Sequence, residues 1–190
     1  MTEFNEMQLI KRRFFAMRNG VIADTLRKAG SPFRIIFGLN LPQIVEIAAA
    51  VGFNSDLGRS LWANTSTRES MLVAPMLMNP SDIGIDEAVG MCGECPSPEV
   101  ADVLCHRLLR HLPFAWELSL HLAGDEREMC RYCAMRILWH YVYTRPAESG
   151  AVARLEIGRM SALTAGPARQ IVEEVEFLAE SEATNDASAN

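Results

Sequence analysis

No stretch of this chain approaches the roughly 20 consecutive apolar residues that a membrane-spanning helix needs, and charges run throughout its first thirty residues. Neither a membrane span nor a secretory signal is therefore expected. Lysine is nearly absent: sixteen of the eighteen basic residues are arginine, the side chain suited to bidentate phosphate and carboxylate contacts. No segment alternates apolar and polar residues cleanly enough to read as a strand. A Gly-rich phosphate loop, H-E-x-x-H, G-x-S-x-G, a Cys-His-Asn arrangement and a paired-carboxylate hydrolase signature are all missing, which removes the common routes to nucleotide binding, metalloprotease chemistry and acyl transfer. The five cysteines are an odd number for a chain of this size and point to reduced thiols in the cytoplasm.

What remains is helical. Of 190 residues 49% are hydrophobic, with 12 Gly and 9 Pro, enough for one well-buried core. Pro42, Pro80, Pro113 and Pro146 form a comb at intervals of 38, 33 and 33 residues, each just before or inside a new apolar-periodic run. Proline is tolerated in a first helical turn and disfavoured further in, so each tooth marks a helix start. A period in this range is the signature of helix-pair solenoids. Helices are expected at about 3–18, 20–30, 42–52, 55–63, 67–78, 81–91, 97–111, 114–123, 125–143, 148–162 and 167–180. Two capping boxes are expected, Ser66 with Glu69 and Asp125 with Glu128, and Asn79-Pro80 and Ser97-Pro98 read as cap-then-proline starts. The first helix carries Met7, Ile10, Phe14 and Met17 on one face. The fold class expected is all-α, a right-handed solenoid of HEAT-like antiparallel helix pairs. One domain spans 1–180, and the small, polar, acidic segment 181–190 reads as a disordered tail.

The net charge of −6 is unevenly spread. Residues 1–70 and 126–169 each carry +3, and 71–125 and 170–190 each carry −6. Local positive stripes, not the total, decide phosphate binding.

Few side chains stand out as chemical. Asp102 falls inside the apolar-periodic helix that begins at Pro98, and is either a solvated face residue or a held carboxylate. His106 and His111, beside Arg107 and Arg110, could extend a basic ridge along that helix. Arg131 and Arg136 lie about 140° apart around a later helix and could either grip phosphates or pair with Glu126, Glu128 or Glu99. Trp62 reads as core, whereas Trp116 and Trp139 could reach a ligand-binding face. Cys92-x-x-Cys95 and Cys130-x-x-Cys133 pose a rival reading, a structural zinc held by four thiolates. The helical context of the second pair and the long separation argue for buried free cysteines instead.

The segment Gly58–Leu77, GRSLWANTSTRESMLVAPML, together with Phe37-Gly38-Leu39-Asn40-Leu41-Pro42 upstream, resembles the bacterial DNA alkylation repair family built from HEAT-like helix pairs. The Leu-Trp, polar turn, Arg-Glu order and the FG-x-x-x-P element carry the likeness. Downstream, Met129 to Ala134 resembles the family's aromatic-x-Arg-Arg-x-Ala helix, with Arg131 at its first arginine. The resemblance covers roughly residues 20–143. The chain departs where Pro98 and its neighbours replace the aromatic before the family's acid, where Met129 and Tyr132 replace the second helix's aromatic and second arginine, and in lacking a C-terminal Trp-x-Leu-Arg element.

The resemblance implies a DNA glycosylase that releases cationic N3- or N7-alkylated purines from duplex DNA without flipping the base and without metal or cofactor. Asp102 would be the catalytic carboxylate, and Arg107, Arg110, Arg131, Arg136 and Trp139 the DNA-binding residues. The partner would be double-stranded DNA, with a protein partner also open, and the chain would act as a monomer. The alternative is a noncatalytic HEAT-repeat module that binds DNA or another protein.

Overall fold

Short polar residues start several of the helices. Asn19 caps α2 by accepting from Val21 and Ile22 N, Asn54 caps α4 by accepting from Leu57 N, and Ser97 caps α7 by accepting from Val100 N. Asn40 and Gln43 form a full capping box at α3, each side chain satisfying a donor the helix leaves orphaned. In the computed structural model, which describes the backbone of residues 3–188 and the side chains of residues 6–181 and 184, these starts yield an all-helical chain. Its α-helices are α1 (Glu3–Ala16), α2 (Gly20–Lys28), α3 (Leu41–Val51), α4 (Ser55–Trp62), α5 (Arg68–Leu77), α6 (Ile85–Glu94), α7 (Pro98–Arg107), α8 (Ala115–Ala123), α9 (Glu128–Leu138), α10 (Pro146–Gly158) and α11 (Ala165–Ser188). Each of the eleven expected helices has its counterpart. Single 3₁₀ turns lie at Pro80–Asp82, Leu109–His111 and Trp139–Tyr141, and shorten the expected helices around them. Among the described residues there is no strand, only an isolated bridge between Ile35 and Thr67, and no helix is long and apolar enough to cross a membrane.

Contacts divide the chain into two compact units, Met1–Gly84 and Ile85–Asn190, where the sequence led us to expect one domain through residue 180. In the first unit α5 packs on α3 and α4, and α1 on α4. The core holds Ile10 and Phe14 from α1, Ile44 and Ile47 from α3, Leu57, Leu61 and Trp62 from α4, and Leu72, Val73 and Leu77 from α5. Ile10 and Phe14 belong to the face read from the sequence, and Trp62 is core as expected. Pro75 sits inside α5, where it removes one backbone donor.

The Ser66–Glu69 capping box does not form. Thr67 is the residue before α5 and makes no side-chain cap, while the Ser66 hydroxyl donates to Asn64 Oδ1. Glu69 turns away from its own helix end. Fully buried, it accepts from the backbone N–H groups of Phe37 (3.1 Å), Gly38 (3.0 Å) and Leu39 (3.3 Å). Arg68 Nη1 donates to Glu69 Oε1 and to Leu39 O, both at 3.0 Å. The competing demand is clear: three orphan amides of a buried loop outweigh the one amide a capping box would serve. Gly38 makes that loop possible. Its φ is +79°, and a Cβ there would lie 2.2 Å from Asn19 O.

In the second unit α9 is the central element, flanked by α6, α7, α8 and α11, with α10 on α11. Cys130, Cys133, Ala134, Ile137 and Leu138 of α9 are wholly buried, beside Val100, Leu104 and Cys105 of α7 and Leu118 and Leu122 of α8. The second capping box fails as well. Asp125 Oδ1 accepts from Arg127 N, one residue short of the helix, and Glu128 accepts from the Ser161 hydroxyl. Helix α11 runs on to Ser188, so most of the segment expected as a disordered tail is helical backbone; residues 189 and 190 lie outside those described.

Candidate nucleic-acid interface

Two helix C-termini bring one group of the second unit's cations together. His106 and Arg107 close α7, with Arg110 and His111 on the 3₁₀ turn behind it; Arg136 closes α9, with His140 on the turn that follows. The placement is local helix chemistry first, since cations are favoured near the carbonyl end of a helix. Packing of α7 on α9 then makes one cluster of the two ends. The rings of His106 and His140 lie 5.8 Å apart at 37°, and Arg110 Nε donates to His111 Nε2 at 3.0 Å.

The cluster is electrostatically strained toward neutral imidazole. Partial burial, then Arg110 and neighbouring cations, push His140 down to about 4. His106 and His111 are lowered in the same way, by burial first and by Arg110 and Arg107 next. For each ring the leading charged influences are arginines and fellow histidines.

One carboxylate stands at the edge. Arg136 Nε lies 2.7 Å from Asp102 Oδ1, and the Tyr132 hydroxyl donates to the same oxygen at 2.9 Å. Burial and this bond to Asp102 raise Tyr132. Asp102 remains 41% exposed and both contacts fall on Oδ1. It is thus a held, accessible carboxylate, combining the two readings its sequence position allowed.

The structure joins Asp102, Arg107, Arg110 and Arg136 and separates Arg131 from them in role. Arg131 Nε pairs with Glu156 Oε1 at 3.0 Å, and its Nη1 donates to the carbonyls of Asp125 (3.0 Å) and Glu126 (2.7 Å). Only 12% of the Arg131 side chain and 2% of that of Glu156 are exposed. Glu156 Oε1 also accepts from Thr164 Oγ1 at 2.7 Å, and its Oε2 faces Arg159 at 3.5 Å. Arg131 therefore ties α9 to α10; the acids proposed as its partners from sequence are replaced by Glu156, twenty-five residues away. Trp139 begins a 3₁₀ turn, half-buried, next to His140. Trp116 meets the edge of Tyr141 at 5.1 Å and the guanidinium of Arg145 at 4.5 Å.

All five cysteines are buried and free. Hydrogen bonding with Cys105, Cys92 and Cys95 lowers the Cys133 thiol; Cys92 and Cys95 are raised by the same bonding and then by burial, and Cys105 by burial first and by Cys133 next. Among the described residues no three His, Cys, Asp or Glu side chains are placed to hold a metal ion, so the four-thiolate zinc reading lacks its geometry.

His140 is the functional candidate that sequence reading missed. Nothing local distinguishes it, since it joins the cluster only through the packing of α7 on α9. Compared with models of known families, with curated proteins and with solved structures, the chain matches none.

Proposed function

We propose that the chain is a DNA alkylation repair protein, a glycosylase of the HEAT-repeat kind that holds duplex DNA by its phosphates and releases cationic N3- or N7-alkylated purines. In this reading the helix pairs stack as a right-handed solenoid in a cytoplasmic protein. The observation that carries it is the cluster of Arg107, Arg110, Arg136, His106, His111 and His140 beside Asp102. Such side chains contact phosphate oxygens and position a duplex without reading its sequence.

The chemistry asks little more of the protein. An alkylated purine already carries positive charge, so its C1′–N bond breaks with the electron pair leaving on a neutral base. Water then adds at C1′ and gives up one proton. The sugar passes through oxocarbenium character, which the Asp102 carboxylate stabilises while orienting the water. Arg136 and Tyr132 fix that carboxylate through Oδ1.

A second reading, a noncatalytic module for DNA or protein, draws support from the same pair of contacts. A carboxylate already facing a guanidinium at 2.7 Å offers a sugar cation a partly neutralised partner. Release of 7-methylguanine from methylated duplex DNA, lost in Asp102→Asn with binding kept, supports the glycosylase; binding without release by the unaltered protein supports the module.

A further inference from the structure

Three imidazoles packed among three guanidinium groups are an unusual arrangement for a surface whose only service would be permanent positive charge; arginines alone would supply that at any pH. The geometry favours neutral rings. His111 Nε2 accepts a hydrogen bond from Arg110 Nε at 3.0 Å, which an imidazolium cannot do, and the other side of that ring engages the backbone of His106. The rings of His106 and His140 stand 5.8 Å apart, so charging both sets like charges side by side.

We propose that His106, His111 and His140 take up protons when the cluster closes on phosphodiester oxygens, so that the second unit grips its ligand more tightly as pH falls. This rests on the DNA-binding reading and names how that site is regulated. The leading charged groups around these rings are Arg107 on α7, Arg110 on the following turn and Arg136 on α9, and Asp102 in turn meets Arg136 and Tyr132. An anion seated here pairs with the guanidinium groups and removes the repulsion that keeps the rings neutral. Each protonated ring then has a donor that the neutral ring lacks. Protonated His111 gives up its bond from Arg110, which releases that guanidinium to the phosphate. By linkage, whatever the anion does for proton affinity, protons do equally for anion affinity.

The test uses the full chain with two probes. The first is a short duplex at fixed salt, with Kd measured from about pH 7.5 to 5.5. One linked proton strengthens binding by at most about tenfold per pH unit, and we expect about a tenfold fall in Kd across this range. The triple variant His106→Gln/His111→Gln/His140→Gln should show a nearly flat profile, with His121→Gln as a control that keeps the full slope. The second probe is sulfate, which stays a dianion throughout, so that any proton taken up belongs to the protein. Imidazole resonances followed by NMR should then titrate at higher pH with sulfate than without it. Duplex binding with a flat profile in the unaltered protein, or a slope surviving in the triple variant, overturns the proton coupling and leaves DNA binding standing. A sulfate-dependent rise without duplex binding keeps the coupling and removes DNA as the ligand. Neither response overturns both.

Discussion

Arg136 Nε and Asp102 Oδ1 face each other at 2.7 Å, across the packing of α9 on α7. The pair sets the acid's charge against the cluster that would hold phosphate. Asp102→Asn removes that opposition and frees Arg136, so DNA affinity should rise by about threefold to tenfold even as excision is lost. Arg136→Gln should lower affinity and leave Asp102 exposed to the duplex as an unpaired negative charge. Fluorescence anisotropy with a labelled duplex reads both. A fall in affinity for Asp102→Asn would show that the carboxylate binds rather than opposes the ligand.

Glu69 is the most heavily engaged acid of the first unit, with three backbone donors and Arg68. Truncating one partner of a buried charge pair costs about 3–5 kcal/mol, because it strands the other. Glu69→Ala should therefore unfold the first unit at low urea, and Trp62, the single tryptophan of that unit, reports it by its fluorescence. The paired change Arg68→Leu/Glu69→Leu should be less damaging than Glu69→Ala, since it leaves no buried charge behind.

Gly38→Ala tests the same loop without touching charge. A left-handed backbone conformation at a residue with Cβ costs about 1–3 kcal/mol, and the new Cβ would meet Asn19 O at 2.2 Å. The loss should exceed the strain alone. Gly30→Ala, which has φ +82° but open space around it, should cost only the strain.

His140 should make the second unit sensitive to acid. Its value of about 4 in the fold lies below the unfolded value of about 6.5. Between those limits the unfolded chain binds more protons, so stability is complete above about pH 6.5 and is lost as pH falls toward 4. His106 and His111 act in the same direction. His140→Gln should flatten the fall of thermal midpoint with pH in this window, and an unchanged pH profile would contradict the placement of the ring among cations.

The helices were legible in the sequence because periodicity and cap residues act over a few positions: Asn40 before Pro42 and Ser97 before Pro98 lead directly into α3 and α7. Long-range competition for polar groups was not. Ser66 and Glu69 have the spacing of a capping box, yet the buried amides of Phe37–Leu39 claim the carboxylate from about thirty residues away. Arg131 shows the same limit, since its partner Glu156 lies on α10 and no local pattern marks it. The site was readable in part. Asp102, Arg107 and Arg110 share one segment, and the sequence placed them together. Arg136 and His140 join only when α9 packs on α7, and neither the ring pair nor the Asp102–Arg136 contact has a signature in the chain.

On the proposed reading the arginines at the ends of α7 and α9 neutralise DNA phosphates, and the salt dependence of duplex binding is the sharpest check of that. Each phosphate contact contributes about 0.9 to the slope of log K against log salt. Arg107→Gln, Arg110→Gln and Arg136→Gln should each reduce that slope by about that amount, while Arg154→Gln, which removes an exposed partner of Glu176 away from the cluster, should leave it unchanged. Absence of duplex binding at about 50 mM salt, where such contacts are strongest, or slopes that ignore the three cluster arginines, would contradict the claim.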